Sequence, residues 1–348
     1  MKIRRWKLTC CCGHGDPSGR RAFLTTAAKG AAALAALGAV PAGLAGTAEA
    51  QVRVFPPPPP TTSPIEGMID WHVHSSPDVF GRAIDDNEVA RKAVEAKMGA
   101  LVLKNHVMET GARAFLARRA VEGKIPIFGG IVLNGPYGIN PEAVQWMWRM
   151  EGGLGKLVYL PTFDADNHVK TFKDAPEGMK VVDAQGKVLP SVVEVMKICA
   201  KQKLILCTGH SSATEALALT KQAKDVGVEH VVVTHAMFTV VNMTTEQMKQ
   251  AAALGAKIEI DFLGTLMGPN AHMGWMAHWK NVSVKDNANA IKEVGAQHFV
   301  MGTDLGQTGN PSHIDGMKAM VAGLKANGVT DAQIRMVARD NAAKMLGL

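Results

Sequence analysis

The sequence predicts a (β/α)8 barrel, the TIM-barrel architecture of the α/β class, over residues 65–348, with an extra helix at its C-terminal end. Eight short apolar runs alternate with helical patterns, and together they fill the roughly 250 residues that such a barrel needs. No glycine-rich turn follows the first run. A doubly wound open sheet, the alternative, normally has fewer strands and carries such a turn.

The predicted strands are short apolar runs that end in turn-forming or polar residues. They lie at 68–74, 100–106, 125–133, 156–162, 204–209, 230–235, 257–262 and 299–304. Predicted helices separate them at 87–97, 111–121, 141–150, 191–201, 213–226, 245–254 and 285–294, and two more follow at 312–326 and 331–346. Asp86, Ser212 and Thr244 are the predicted N-caps.

Two long connections follow strands on the face where barrel enzymes carry their active sites. Residues 163–190 are polar and predict a hairpin around the turn 183–186. Residues 263–283 carry His272, His278, Trp275 and Trp279. We interpret both connections as lids over the barrel mouth, and for the hairpin a purely stabilising role is an equal alternative.

Residues 1–50 predict a targeting segment ahead of the barrel. Arg20-Arg21 followed by an Ala/Gly/Leu stretch resembles a twin-arginine export signal, and Ala48-Glu49-Ala50 fits a cleavage site. This predicts a periplasmic or secreted protein with no stable membrane anchor after processing; an N-terminal anchor helix is the alternative. The proline run within 51–64 predicts a stiff linker.

Charge and cysteine content exclude two classes of protein. The formal net charge is +7, but residues 1–50 contribute most of it, and no basic stripe with interleaved aromatic residues follows. We therefore expect no nucleic-acid partner and expect a small-molecule substrate. The sequence does not decide whether the chain forms a homo-oligomer. Beyond the targeting segment only Cys199 and Cys207 remain, which predicts buried thiols rather than a disulfide framework.

Five residues of metal-ligand type close predicted strands. His72 and His74 close the first strand, His210 the fifth, His235 the sixth and Asp304 the eighth. In a closed barrel these strand ends meet at one mouth, so the five side chains should converge. Neutral imidazoles with a carboxylate suit one or two divalent ions, Zn²⁺ before Fe, Mn or Ni.

Side-chain alternation supports this convergence. It places His210 on the same strand face as Leu204, Leu206 and Thr208, and Asp304 on that of Val300 and Gly302. It also turns Glu259 and Asp261 of the seventh strand inward. Asp70, His106 and Asp261 are therefore candidates to orient the ligands or contact the substrate.

The order His-x-His, His, His, Asp on strands one, five, six and eight resembles the amidohydrolase superfamily of metal-dependent barrels. The ending 341–348 also resembles one common there. The resemblance covers about residues 65–348. It implies that His72, His74, His210, His235 and Asp304 bind metal, and that Asp304 takes a proton from the metal-activated water. The implied reaction is hydrolysis of an amide, lactone or ester bond.

Lys104 departs from that superfamily pattern. Binuclear members usually bridge two ions with a carboxylated lysine on the fourth strand, or the third in some, whereas Lys104 lies near the end of the second predicted strand. An inward lysine in an apolar barrel is costly unless it is paired. Three interpretations remain open: a carboxylated bridging ligand, a cation for an anionic substrate, or an ion pair with a carboxylate such as Asp261.

Other functions compete with hydrolysis. Metal-dependent decarboxylases of the same superfamily share the ligand set with a single ion, and Lys104 would then hold a substrate carboxylate. A phosphoesterase of the polymerase-and-histidinol-phosphatase type fits less well, because those barrels use additional His and Glu ligands that cannot be placed in this sequence. The non-enzymatic hypothesis is a binding or scaffold protein with a vestigial metal site.

Overall fold

A computed structural model of the chain describes residues 63–271 and 273–348. The predicted export signal, nearly all of the linker and His272 lie outside these described residues. Within the described residues, every helix is too short or too polar to cross a membrane.

Eight parallel strands form a nearly closed barrel in the order of the sequence, which confirms the predicted TIM-barrel fold. They are β1 (Ile69–Val73), β2 (Ala100–Leu103), β3 (Ile127–Val132), β4 (Gly155–Tyr159), β5 (Ile205–Cys207), β6 (Val231–Val233), β7 (Lys257–Asp261) and β8 (Phe299–Gly302). Nearly every strand residue is buried, because helices cover the outer face of the sheet and side chains packed inside the barrel cover the inner face.

Helices alternate with the strands. They are α1 (Asp86–Glu95), α2 (Gly111–Ala120), α3 (Pro141–Trp148), α4 (Asp166–Val169), α5 (Pro190–Gln202), α6 (Ala213–Asp225), α7 (Thr245–Ala253), α8 (Val284–Val294), α9 (His313–Ala326), α10 (Asp331–Arg335) and α11 (Asn341–Leu346). Short 3₁₀ turns lie at Phe262–Leu266, Met276–His278 and Ala296–His298. The predicted helix 331–346 is interrupted by a π-helical turn at Met336–Asp340.

Backbone hydrogen bonds join the C-terminal ends of β1 and β8. The amide of Asp304 donates to the carbonyl of His72 over 2.9 Å, and the amide of His74 donates to Leu305 over 3.0 Å. The side chain of His313, at the start of α9, donates through Nε2 to the carbonyls of His74 and Leu305. The two ends of the barrel sequence are thereby held side by side.

One predicted helix cap is wrong. Asp85, not Asp86, caps α1, with its carboxylate accepting from the amide of Glu88. The Asp86 carboxylate instead accepts from the Nε and Nη2 atoms of buried Arg113 and from the hydroxyl of Ser75. A buried guanidinium needs a paired carboxylate more than the solvent-facing helix end does.

The predicted hairpin within 163–190 is confirmed. Val182 and Val188 form an antiparallel bridge, and the amide of Asp183 donates to Lys187 across the turn. The connection also contains α4, which the sequence analysis did not predict. The second connection begins with the 3₁₀ turn after β7, and its Trp279 is buried.

Gly302 of β8 faces the inside of the barrel. A Cβ atom at this position would lie 2.7 Å from the Cβ of His72 and 2.7 Å from Asp261 Oδ1. We expect Gly302→Ala to lower the free energy of unfolding by about 1–3 kcal/mol, because the methyl group must displace one of these neighbours. Urea denaturation measures this change.

Gly274→Ala is the matched control, because a Cβ atom there meets open space. Its free energy of unfolding should change by less than about 0.5 kcal/mol. Equal stability of the two variants would contradict the packing of β8 against His72.

Candidate metal centre

The predicted ligands lie at or just beyond the C-terminal ends of their strands. His72 lies within β1 and His74 directly after it, while His210, His235 and Asp304 lie two or three residues beyond β5, β6 and β8. His235 and Asp304 adopt left-handed backbone angles, with φ of 50° and 52°. Such angles are uncommon for residues with side chains and persist where surrounding contacts enforce them.

The predicted alternation along the fifth strand is wrong. Cys207, which that alternation turned away from the site, pairs in register with Tyr159 of β4, whose ring lies 6.0 Å from that of His72 and 4.8 Å from the amine of Lys104. His210 reaches the mouth through Gly209, whose φ of +64° redirects the chain after β5. The turn, rather than the strand pleat, aims this histidine.

Asp304 lies at the centre of three imidazoles. Its Oδ1 atom is 3.1 Å from His74 Nε2 and 3.4 Å from His72 Nε2, and its Oδ2 atom is 3.6 Å from His235 Nε2. All four side chains are buried. Four strands have a predicted ligand at their C-terminal end. The ligand atoms of three of them, β1, β6 and β8, thus lie close together.

Two carboxylates of β7 contact the Nδ1 atoms of two of these imidazole rings, on the side away from Asp304. Glu259 Oε1 lies 2.7 Å from His72 Nδ1, and Asp261 Oδ2 lies 2.8 Å from His235 Nδ1. When each Nδ1–H donates to its carboxylate, Nε2 is left with a lone pair that points toward Asp304. Carboxylate–histidine pairs of this kind orient metal ligands and raise their basicity.

His74 has a different partner, Arg82. The Nη2 atom of Arg82 lies 3.2 Å from His74 Nδ1, and the same guanidinium pairs with Asp78. A guanidinium only donates, so His74 Nδ1 accepts and the ring proton lies on Nε2, where it donates to Asp304. Sequence reasoning missed Arg82; its place in the loop after β1, on the active-site face, was the available signal.

His210 joins the cluster from the side. Its ring centroid is 5.4 Å from that of His235, and its Nδ1 atom is 2.8 Å from Nδ1 of His168 in α4. Two groups of described residues hold their ligand atoms within 4.8 Å of one another: His72, His74 and Asp304, and His72, His235, Glu259 and Asp261. His210 lies outside both groups.

Lys104 is buried and unpaired. Its Nζ atom has no hydrogen-bond or ion-pair partner among the described residues and lies 4.8 Å from the ring centroid of Tyr159. The structure therefore shows no ion pair between Lys104 and a carboxylate such as Asp261, and the other two interpretations stay open. Burial lowers the pKa of Lys104, and the negative charges of Asp304 and Glu259 oppose that shift.

The remaining predicted residues contact the centre indirectly. The carboxylate of Asp70 accepts from the backbone amide of His72 and from the amide and hydroxyl of Thr303. It therefore holds the backbone beside the ligands rather than a ligand ring. The ring of His106 stacks on that of His74, and its Nδ1 atom lies 2.9 Å from the hydroxyl of Thr162.

Aromatic rings from several loops cover the mouth. Phe163 packs on His106 and His168, Phe238 stacks on His235, and Trp279 packs on His168. The sequence analysis predicted Trp279 as part of a lid and missed the two phenylalanines. With these rings in place the histidines of the cluster are almost fully shielded from solvent.

Burial controls the charges of the cluster. It lowers the pKa of His72, His74 and His210 well below 6.5 and that of His235 to about 3. It also raises the pKa of Asp304 to about 6 and that of Asp261 to about 7. The imidazoles are neutral at neutral pH, as metal ligation requires.

Several buried atoms of the centre have no hydrogen-bond partner among the described residues. They are His72 Nε2, Lys104 Nζ, Tyr159 Oη, Glu259 Oε2 and Asp261 Oδ1. Two ligands at about 2.0–2.2 Å from one ion are about 2.8–3.6 Å apart, and the observed nitrogen–oxygen separations around Asp304 fall in that range. The residues therefore fit a divalent ion.

Comparisons with known proteins agree with this fold. A model of a family of unknown function, DUF6282, matches residues 67–259, more than half of the chain. No curated protein matches the sequence. The structure is similar to that of an amidohydrolase from Pseudomonas aeruginosa, with a TM-score of 0.55 and 12% identity over 82% of this chain and 96% of that one.

A mutant of an organophosphorus hydrolase from Deinococcus radiodurans is similar to the same extent. Its TM-score is 0.53, with 13% identity over 82% of this chain and 95% of that one. At these sequence identities the structural similarity supports the barrel fold and does not identify a substrate.

Added Zn²⁺ should stabilise the folded chain. At about 100 times its Kd an ion contributes about 2.7 kcal/mol, which corresponds to a rise in Tm of about 3–8 °C. Differential scanning calorimetry with Zn²⁺ and then with a chelator measures the shift.

The His72→Ala variant should lose most of that shift, and His230→Ala should keep it. His230 lies at the start of β6, at the opposite end of the barrel. A Tm that does not respond to Zn²⁺ in the unmodified chain would contradict the metal centre.

Proposed function

This chain belongs to the DUF6282 family, and we propose that it is a metal-dependent hydrolase that cleaves an amide, lactone or ester bond of a small molecule. The observation that carries the proposal is the convergence of His72, His74 and His235 on the carboxylate of Asp304, at 3.1–3.6 Å. Export by the twin-arginine signal would place the activity in the periplasm or outside the cell.

Four residues would hold the ion, most suitably Zn²⁺: His72 and His235 through Nε2, Asp304 through its carboxylate, and His74. His210, whose ring lies beside that of His235, would complete the metal centre through its own Nε2 atom. For His74 to bind through Nε2 as a neutral ring, its proton must move from Nε2 to Nδ1, and the contact of Nδ1 with Arg82 must then be given up. When bound, a divalent ion polarises the scissile group and lowers the pKa of a water molecule from 15.7 to about 7.

Asp304 would accept the proton of that water and pass it to the leaving group. Burial raises the pKa of Asp304 to about 6, and a neighbouring cation lowers it again. The carboxylate is therefore ionised at neutral pH and able to accept a proton. The covering rings of Phe163 and Phe238 exclude bulk water, which strengthens every electrostatic interaction in the site.

The state of Lys104 and the number of ions are linked through charge. When ionised, Glu259, Asp261 and Asp304 bring three negative charges into one buried space. One divalent ion balances them if Lys104 remains an ammonium group. Two divalent ions balance them if the amine of Lys104 has taken up CO₂ and become a negative carbamate, the form that bridges ions in the superfamily this sequence resembles.

A metal-dependent decarboxylase is the second candidate. The unpartnered Nζ atom of Lys104 favours it, since an ammonium group at that place would bind a substrate carboxylate beside the ion. A single ion per chain fits this candidate, and two ions bridged by Lys104 fit the hydrolase.

Asp304→Asn should reduce kcat for any hydrolysed ester, lactone or amide by at least about 100-fold, because the amide cannot accept the proton. The imidazoles remain, so most of the metal should stay bound. Steady-state kinetics and elemental analysis measure the two quantities.

Asp225→Asn is the matched control, since Asp225 is exposed at the end of α6 and pairs with Lys221. It should leave kcat unchanged. Retained activity in Asp304→Asn would remove Asp304 as the base.

Lys104→Ala should lower the bound metal from two equivalents toward one if Lys104 bridges two ions. Elemental analysis of the purified chain measures this count, and Lys221→Ala, at an exposed site, is the control. An unchanged metal count would exclude Lys104 as a bridging ligand.

A further inference from the structure

The short helix α4 contacts His210 at two points. The Nδ2 atom of Asn167 donates to the carbonyl of His210 over 3.0 Å. The Nδ1 atom of the next residue, His168, lies 2.8 Å from His210 Nδ1. Two neighbouring residues of one helical turn thus hold both the backbone and the ring of the same predicted ligand.

The contact between the two rings has the geometry of a hydrogen bond. Their Nδ1 atoms are 2.8 Å apart, and their ring centroids are 4.8 Å apart. A neutral imidazole carries one proton, so a single proton is shared between the two Nδ1 atoms. With that proton on His210, the lone pair of this ring is on Nε2.

His168 is held rigidly enough to act as an acceptor. Its ring packs against Phe163 at 5.2 Å, Phe172 at 5.4 Å and Trp279 at 5.6 Å between centroids. It stacks on His210 with an interplanar angle of 29°. Rings from the loops after β4 and β7 therefore fix the acceptor from several sides.

We propose that His168 is the positioning residue of His210: it accepts the Nδ1–H of that ring and keeps its Nε2 atom unprotonated and available to the metal. The inference rests on the proposed metal centre. His168 takes the place that Glu259 has for His72 and Asp261 has for His235. The connection 163–190 is then part of the metal centre and does more than cover it.

Substitutions of His168 test this role. His168→Asn keeps an acceptor, because Oδ1 of asparagine is attached to Cγ as Nδ1 of histidine is. His168→Leu fills similar space without an acceptor. Losing the outer partner of a ligand typically costs about 10- to 100-fold in metal affinity. We therefore expect the Kd for Zn²⁺ to rise by about that factor in His168→Leu and by less than about threefold in His168→Asn.

Competition with a chromophoric chelator, on the full chain, measures the Kd for Zn²⁺. The absorption spectrum of the Co²⁺-loaded chain reports the coordination independently of turnover and should be unchanged in His168→Asn. His230→Leu, at the opposite end of the barrel, is the matched control and should bind Zn²⁺ as the unmodified chain does.

Three outcomes would overturn the inference. Unchanged Zn²⁺ affinity in His168→Leu would show that His210 needs no acceptor. Equal losses in both His168 variants would show that His168 is a ligand itself or a packing residue. Failure of the unmodified chain to bind a divalent ion would overturn the proposed function together with this inference, whereas the first two outcomes leave the proposed function intact.

Discussion

The junction between β1 and β8 is the constraint on which the site depends. Backbone hydrogen bonds from Asp304 to His72 and from His74 to Leu305 place residues from the two ends of the barrel side by side. The Asp70 carboxylate strengthens the junction by binding Thr303. Because the barrel closes here, a carboxylate meets two imidazoles that lie about 230 positions earlier in the chain.

Electrostatics explains why this cluster suits a cation. The barrel interior shields three carboxylates and several imidazoles from water, so burial raises the pKa of the acids and lowers that of the histidines. Buried carboxylates without a counter-ion are costly. A divalent ion would offset that cost, and it would also bind Nε2 of His72, which has no hydrogen-bond partner among the described residues.

The position of the Lys104 amine depends on the barrel as well as on its strand. Here Tyr159 ends β4, and the amine of Lys104, which follows β2, lies 4.8 Å from the ring of that tyrosine. A lysine side chain is long enough to cross part of a narrow barrel, so strand number alone does not decide where its amine lies.

The sequence by itself determined the eight strands, the helices between them and the residues of metal-ligand type at the strand ends. These features follow from hydrophobic periodicity, which is local and visible in one chain. Only the tertiary structure decided that Gly209 turns His210 into the site, that Cys207 faces it, and which partner holds each imidazole. Those outcomes depend on turns with positive φ and on contacts between distant segments, such as Arg82 with His74 and His168 with His210. Local hydrophobic periodicity carries no information about such turns or about contacts between distant segments.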